Sequence, residues 1–206
     1  MLTLSLRQTD THEKILEAGL RLFSKKGYLG ATTREIAREA GVAEVTLFRH
    51  FPSKETLLEE VINRYSFLPE LKGLLPSLSA LLYEDALVVI AKRFLETLTL
   101  RKDMIRIMHS EMHRYPEKIH KIYHAFSDEL FKTLASYFDE MRKKGVLRPF
   151  HTEFAARAFL GMIFSFFNAQ EFLMRKKFGP VDSDEVIKTF VTIFVSGTLK
   201  GRGRTS

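Results

Sequence analysis

Cysteine and tryptophan are both absent from the 206 residues. Without cysteine there is no disulfide framework, cysteine nucleophile, thiolate metal site or thiol redox sensor. Strand signals are missing: no alternating β-branched runs meet at Asn-Gly or Asp-Gly turns. Long apolar runs are missing too. The most apolar stretch, Ala158 to Ala169, is bounded by Arg157 and Gln170 and is too short to span a bilayer. The start, MLTLSLRQTD, has neither a charged leader nor a continuous apolar core, so it does not read as a signal peptide. These absences lead us to expect a cytoplasmic chain with no membrane partner.

Charge of one sign is in excess, but not where it would be most informative. Lys plus Arg number 32 and Asp plus Glu 25, a formal +7, which favours an acidic partner such as nucleic acid. Residues 1–65 hold 10 basic and 9 acidic side chains, and residues 66–206 hold 22 and 16. Bulk charge therefore does not mark the N-terminal region. Low complexity is confined to GRGRTS, expected to form a basic, frayed tail over 200–206.

What is present is helical periodicity. Ile15, Leu16, Gly19, Leu22 and Phe23 share one face of a first helix expected over 11–26, with Asp10 as its N-cap and Glu13 at N3. Gly27 stops it. Thr32 and Glu35 form a second capping box, opening a short helix that Gly41 ends. A third helix is expected over 44–50. Ser53 caps a fourth, running from Lys54 to about Phe67. Pro69, Gly73 and Pro76 predict a loop-rich junction. Further helices are expected over 79–100, 103–113, 117–144, 152–178 and 183–199, with stops at Gly145 and Gly179-Pro180 and an opening at Asp182. The pattern divides into a three-helix unit, 1–53, and a larger bundle, 54–206.

Two short helices joined by a glycine turn suit a helix-turn-helix, whose second helix enters the DNA major groove; a plain αα-hairpin uses the same turn. At about 100° per residue, Leu47 and Phe51 point inward together. Val45, Thr46, Phe48 and Arg49 then form the outer face, with Glu44 at the helix start. Ile36, Ala37 and Ala40 complete the small core.

The run ATTREIAREAGVAEVTLFRHFPSKETLLEEV, Ala31 to Val61, resembles the DNA-binding signature of the tetracycline-repressor family (TetR/AcrR-like regulators). ILEAGLRLFSKKGY before it resembles that family's first helix. The resemblance ends near Tyr65; beyond it only length and helical character match. It implies an all-α fold: an N-terminal three-helix helix-turn-helix DNA-binding domain, then a C-terminal helical ligand-binding and dimerisation bundle. It also implies a homodimer that binds a palindromic operator in double-stranded DNA and releases it on binding a small-molecule effector. Carried over by position, Thr33 and Lys54 look like phosphate contacts. Arg34 and Thr46 sit where bases or adjacent phosphates are touched, and His50 lies near the backbone. Two positions depart from the family pattern. Phe48 stands where Tyr is usual and cannot donate to phosphate, though it can pack on a sugar or thymine methyl. Glu44 stands where polar or basic residues are common; it repels phosphate but can accept from cytosine. Arg49 can read guanine in bidentate fashion or contact phosphate.

In the larger bundle, residues 150–194 carry 10 of the 18 Phe. Phe159, Met162, Ile163, Phe166, Phe167 and Leu173 cover more than one face of their helix, which implies burial on two sides. The resemblance places a dimer interface on this helix and the last one. The effector pocket is expected around Phe94, Leu98, Met104, Met108, Met112, Phe126, Leu130, Phe131, Met162 and Phe166, all apolar and adaptable. The ligand is expected to be apolar or amphipathic, such as a fatty acyl or aromatic compound. Glu111 and Glu171 are polar candidates there. His109/His113 and His120/His124 are i,i+4 pairs that could hold a metal, but no H-E-x-x-H accompanies them, and neither a metal nor a cofactor is expected. The chain reads as a ligand-responsive repressor and not an enzyme. The rivals are an all-helical metal-dependent enzyme using the His pairs and a nonspecific DNA-binding protein.

Overall fold

The structure is a computed structural model, and it describes residues 2–173 and 181–200. The expected stop at Gly179-Pro180, the helix end at 174–178 and the tail from 201 onward lie outside the described residues. Ten α-helices are described: α1 (Leu2–Gly30), α2 (Thr33–Glu39), α3 (Glu44–His50), α4 (Lys54–Tyr65), α5 (Phe67–Leu78), α6 (Tyr83–Leu100), α7 (Lys102–Glu111), α8 (Glu117–Lys143), α9 (Thr152–Asn168) and α10 (Ser183–Thr198). A 3-10 turn, Met112–Arg114, follows α7, and a π turn, Ala169–Leu173, follows α9.

The chain packs as two compact units. The first comprises residues 1–66 and 101–126, and the second residues 67–100 and 127–206. This grouping by contact is drawn differently from the sequence division at residue 53, because α4, α7 and the start of α8 pack with the N-terminal helices.

In the first unit, α1 packs against α2, α4 and α7. Asp10 does not cap α1, since the helix already begins at Leu2; Asp10 instead accepts from Lys14 at 2.6 Å. Gly27 does interrupt the helix, at φ 73 and ψ 174. Two demands select glycine there: the left-handed backbone, and α7. An added Cβ would meet the Glu111 carboxyl carbon at 2.6 Å and Ile107 Cγ2 at 2.7 Å. The Thr32–Glu35 capping box forms in both directions. Lys26 and Thr32 together hold the Glu35 carboxyl down to about 2. Ser53 caps α4 by accepting from the Thr56 amide at 3.1 Å.

In the second unit, α6 packs against α5, α9 and α10. The expected junction at Pro69–Pro76 is a helix, α5. Pro69 sits in its first turn, where a missing N–H costs no intrahelical bond, and Pro76 sits near its end. Burial of Phe67, Leu68, Leu71 and Leu78 outweighs the breakers. An aromatic core joins distant helices. Phe138 lies 5.6 Å from Phe194, which lies 5.0 Å from Phe159. Tyr83 stacks on Tyr137 at 6.5 Å and donates to or accepts from Thr198 at 3.2 Å. The expected burial of α9 on two sides is incomplete within the chain: Phe159, Ile163 and Phe167 are buried, whereas Phe154 is 66% exposed. Met162 and Phe166 are half-buried, and Leu173 is exposed.

Candidate nucleic-acid interface

The recognition helix is held from beneath by apolar contacts. Leu47 and Phe51 are fully buried, as are Ile36 and, almost completely, Ala37 of α2. Gly41, at φ 71, reverses the chain between α2 and α3. Its N–H donates to Arg38 O at 3.2 Å, and the Val42 N–H donates to Ala37 O at 3.0 Å. The outer face follows from this geometry. Val45 is 76% and Phe48 43% exposed; Arg49 is exposed, while Thr46 and His50 are half-buried. An exposed apolar pair beside a cation, at the surface of a seven-residue helix, does nothing for the fold. It suits a groove that offers methyl groups and acceptors.

Glu44 ties the two helices together. Its Oε1 accepts from the Thr33 hydroxyl at 2.7 Å, and its Oε2 lies 3.8 Å from Arg34 Nε. The Arg34 side chain is 88% exposed, so that ion pair contributes little to stability. Its effect is to place a carboxylate between two candidate DNA contacts.

Lys54 is more enclosed than a simple phosphate contact. Its Nζ donates to Ala31 O at 2.8 Å and sits 4.2 Å above the Tyr28 ring. Burial pushes its pKa down. Burial first, then Glu55 beside its hydroxyl, raise the Tyr28 pKa to about 12. His50 closes α3. Its ring is 5.9 Å from that of His12, whose Nε2 lies 3.2 Å from Glu60. Burial first, then His12 and Arg49, hold the His50 pKa below its ordinary 6.5.

The structure places Thr33, Arg34, Glu44, Val45, Thr46, Phe48, Arg49, His50 and Lys54 in the first compact unit, on α2, α3 and the start of α4. The expected effector residues are distributed. Met104 belongs to the core cluster of the first unit, and Met108, Met112 and Phe126 are partly buried against it. Phe94, Leu98, Leu130, Phe131, Met162 and Phe166 belong to the second. Among the described residues no three His, Asp or Glu side chains converge as a metal site, and no helix is long and apolar enough to cross a membrane. Sequence reading missed the role of Tyr28. The Gly-Tyr pair was visible, but the lysine that rests on its ring lies 26 positions away.

Comparison with known proteins agrees with this geometry. The profile of bacterial regulatory proteins of the tetR family matches residues 15–61. That of the AefR-like transcriptional repressor C-terminal domain matches residues 85–197. The uncharacterized HTH-type transcriptional regulator YvkB of Bacillus subtilis is 33% identical over 157 residues, 76% of this chain and 81% of that one. A solved structure assigned to the TetR family, from Mesorhizobium loti MAFF303099, superposes with TM-score 0.74 at 22% identity, covering 94% of this chain and 99% of that one. The flavonoid-responsive regulator FrrA gives TM-score 0.69 at 26% identity, covering 94% and 98%.

Proposed function

The chain belongs to the tetR family of bacterial regulatory proteins, and from that premise we propose how its residues divide the work of a ligand-responsive DNA-binding transcriptional regulator. α3 enters the major groove. Val45 and Phe48 contact thymine methyls or sugars, Thr46 offers a hydroxyl, and Arg49 donates to guanine. Thr33, Arg34, His50 and Lys54 approach phosphates. Glu44 limits how freely Thr33 and Arg34 do so, which lowers affinity for arbitrary DNA. The observation that carries this reading is the exposed apolar-and-cationic face of α3 above the buried Leu47 and Phe51.

The chain acts as a repressor in the cytoplasm and pairs with a second copy through α9 and α10. Phe154, Ala158, Gly161 and Ser165 are exposed at i, i+4, i+7 and i+11 along α9, and Thr189, Ile193 and Ser196 are exposed on α10. A Cβ on Gly161 would meet nothing within 4 Å among the described residues. That open space lets a helix from a second copy approach closely. The effector is an apolar small molecule. An effector that prefers a spacing other than one turn of B-DNA between paired α3 helices lowers DNA affinity by that preference.

Selection of bound fragments from genomic DNA tests the reading. The expected result is one enriched site with two half-sites a helical turn, or a multiple of it, apart. The enriched site should be preferred about a thousandfold or more over random duplex. Equal affinity for all duplexes contradicts it.

A further inference from the structure

Among the described residues, the hydroxyls of Tyr123 and Tyr137 are buried without a hydrogen-bond partner. Such a group is costly unless something satisfies it. The two differ in surroundings. Tyr137 lies among rings, stacked on Tyr83 at 6.5 Å and 5.9 Å from Phe138. Tyr123 is 9% exposed and belongs to a buried cluster that includes Met104 and against which the partly buried Met108, Met112 and Phe126 pack. Methionine side chains rearrange around an occupant at low cost; packed rings do not.

The charges near Tyr123 restrict what it can bind. Its ring stacks on Tyr115 at 6.3 Å. The Tyr115 hydroxyl already donates to Glu111 Oε2 at 3.0 Å. Burial first, then Tyr115 and Glu111, push the Tyr123 pKa far up, so its hydroxyl keeps its proton and remains a donor. An uncharged oxygen satisfies that donor. A carboxylate would lose its hydration and face the Glu111 carboxylate.

We propose that Tyr123, with Met104, Met108, Met112 and Phe126, forms an effector subsite for an apolar molecule carrying an uncharged carbonyl or hydroxyl oxygen, which accepts from Tyr123 Oη. The proposal rests on the reading of the chain as a ligand-responsive regulator and narrows its ligand class: a free fatty acid is disfavoured and a neutral aromatic ketone or phenol is favoured. A route to the DNA head is built in. Tyr115 packs edge-on against Tyr28 at 6.0 Å, and Tyr28 carries Lys54 on its ring. An occupant that shifts Tyr115 therefore disturbs the brace at the start of α4.

Calorimetric titration of the full chain tests this with two probes of equal size, benzylacetone and hydrocinnamate. Benzylacetone is expected to bind at least tenfold more tightly. Tyr123→Phe should weaken it about five- to tenfold, as loss of one hydrogen bond does, while Tyr137→Phe leaves it unchanged; thermal unfolding of both variants checks that they fold. Equal affinity for the two probes, equal weakening by the two variants, or no binding of either probe overturns the subsite. Fragment selection on the same preparation separates the failures. If a specific DNA site is found but neither probe binds, the subsite falls and the regulator reading stands. If benzylacetone binds with the Tyr123 dependence but no DNA is selected, the subsite stands and the regulator reading falls.

Discussion

Each of the two compact units has its own balance of internal contacts. In the first, segments distant in sequence share a buried apolar cluster and are also joined by single polar ties: Thr33 to Glu44, Lys54 to Ala31, and Tyr65 to Glu13 at 3.1 Å. In the second, they meet chiefly through rings, with Phe138, Phe159 and Phe194 at the centre. A polar tie needs a particular donor and a particular acceptor. A ring needs only volume and apolarity. The contrast fits what local spacing makes readable: a motif in the head and little beyond helicity in the bundle, although residues 85–197 match a family profile of their own.

Breaking the aromatic core should have the largest effect. Phe138→Ala should destabilise the chain by about 3–5 kcal/mol in denaturant unfolding, since the ring is fully buried and leaves a cavity. A loss under about 1 kcal/mol would mean the core relaxes freely and the contrast is weaker than stated. Next comes Gly27→Ala, expected to cost roughly 1–3 kcal/mol, because a left-handed alanine is strained and its Cβ strikes α7. An unchanged melting temperature would show that α7 yields.

Much of the head was legible in the sequence. The Thr32–Glu35 box, the Gly41 turn, the inward Leu47 and Phe51 and the Ser53 cap all follow from spacing, because each lies within one or two turns of its partner. The start of α1 was misread, since Asp10 pairs with Lys14 inside a longer helix. The helical run through Pro69 and Pro76 was also missed. Local breaker chemistry pointed to a loop there, and burial of Phe67, Leu71 and Leu78 overrode it. Tyr123 carried no signal at all: a tyrosine at helical spacing reads as core until its hydroxyl is found without a partner.

Two smaller effects sharpen the role of the polar ties. Glu44→Gln should raise affinity for random DNA severalfold at low salt, by removing a carboxylate from beside Thr33 and Arg34, and should narrow the preference for the selected site. Fluorescence anisotropy on both duplexes across a salt series measures this, and unchanged binding to random DNA would show that Glu44 restrains nothing. The smallest effect concerns Glu35. Its carboxyl pKa is lowered from 4.5 to about 2. The stabilisation is therefore present at neutral pH and lost as pH falls through 4.5 toward 2. Glu35→Gln should flatten that part of the acid unfolding profile by slightly lowering the neutral melting temperature, and the effect is small because the pair is solvent-exposed.

The central claim is that specificity comes from a few groups on the outer face of α3 and not from the formal charge of +7. Binding of wild type and Arg49→Ala to the selected site and to random duplex tests it most directly. The account predicts a loss of about 1–3 kcal/mol on the selected site and a clearly smaller loss on random DNA. An equal loss on both would make Arg49 a phosphate contact and contradict the claim.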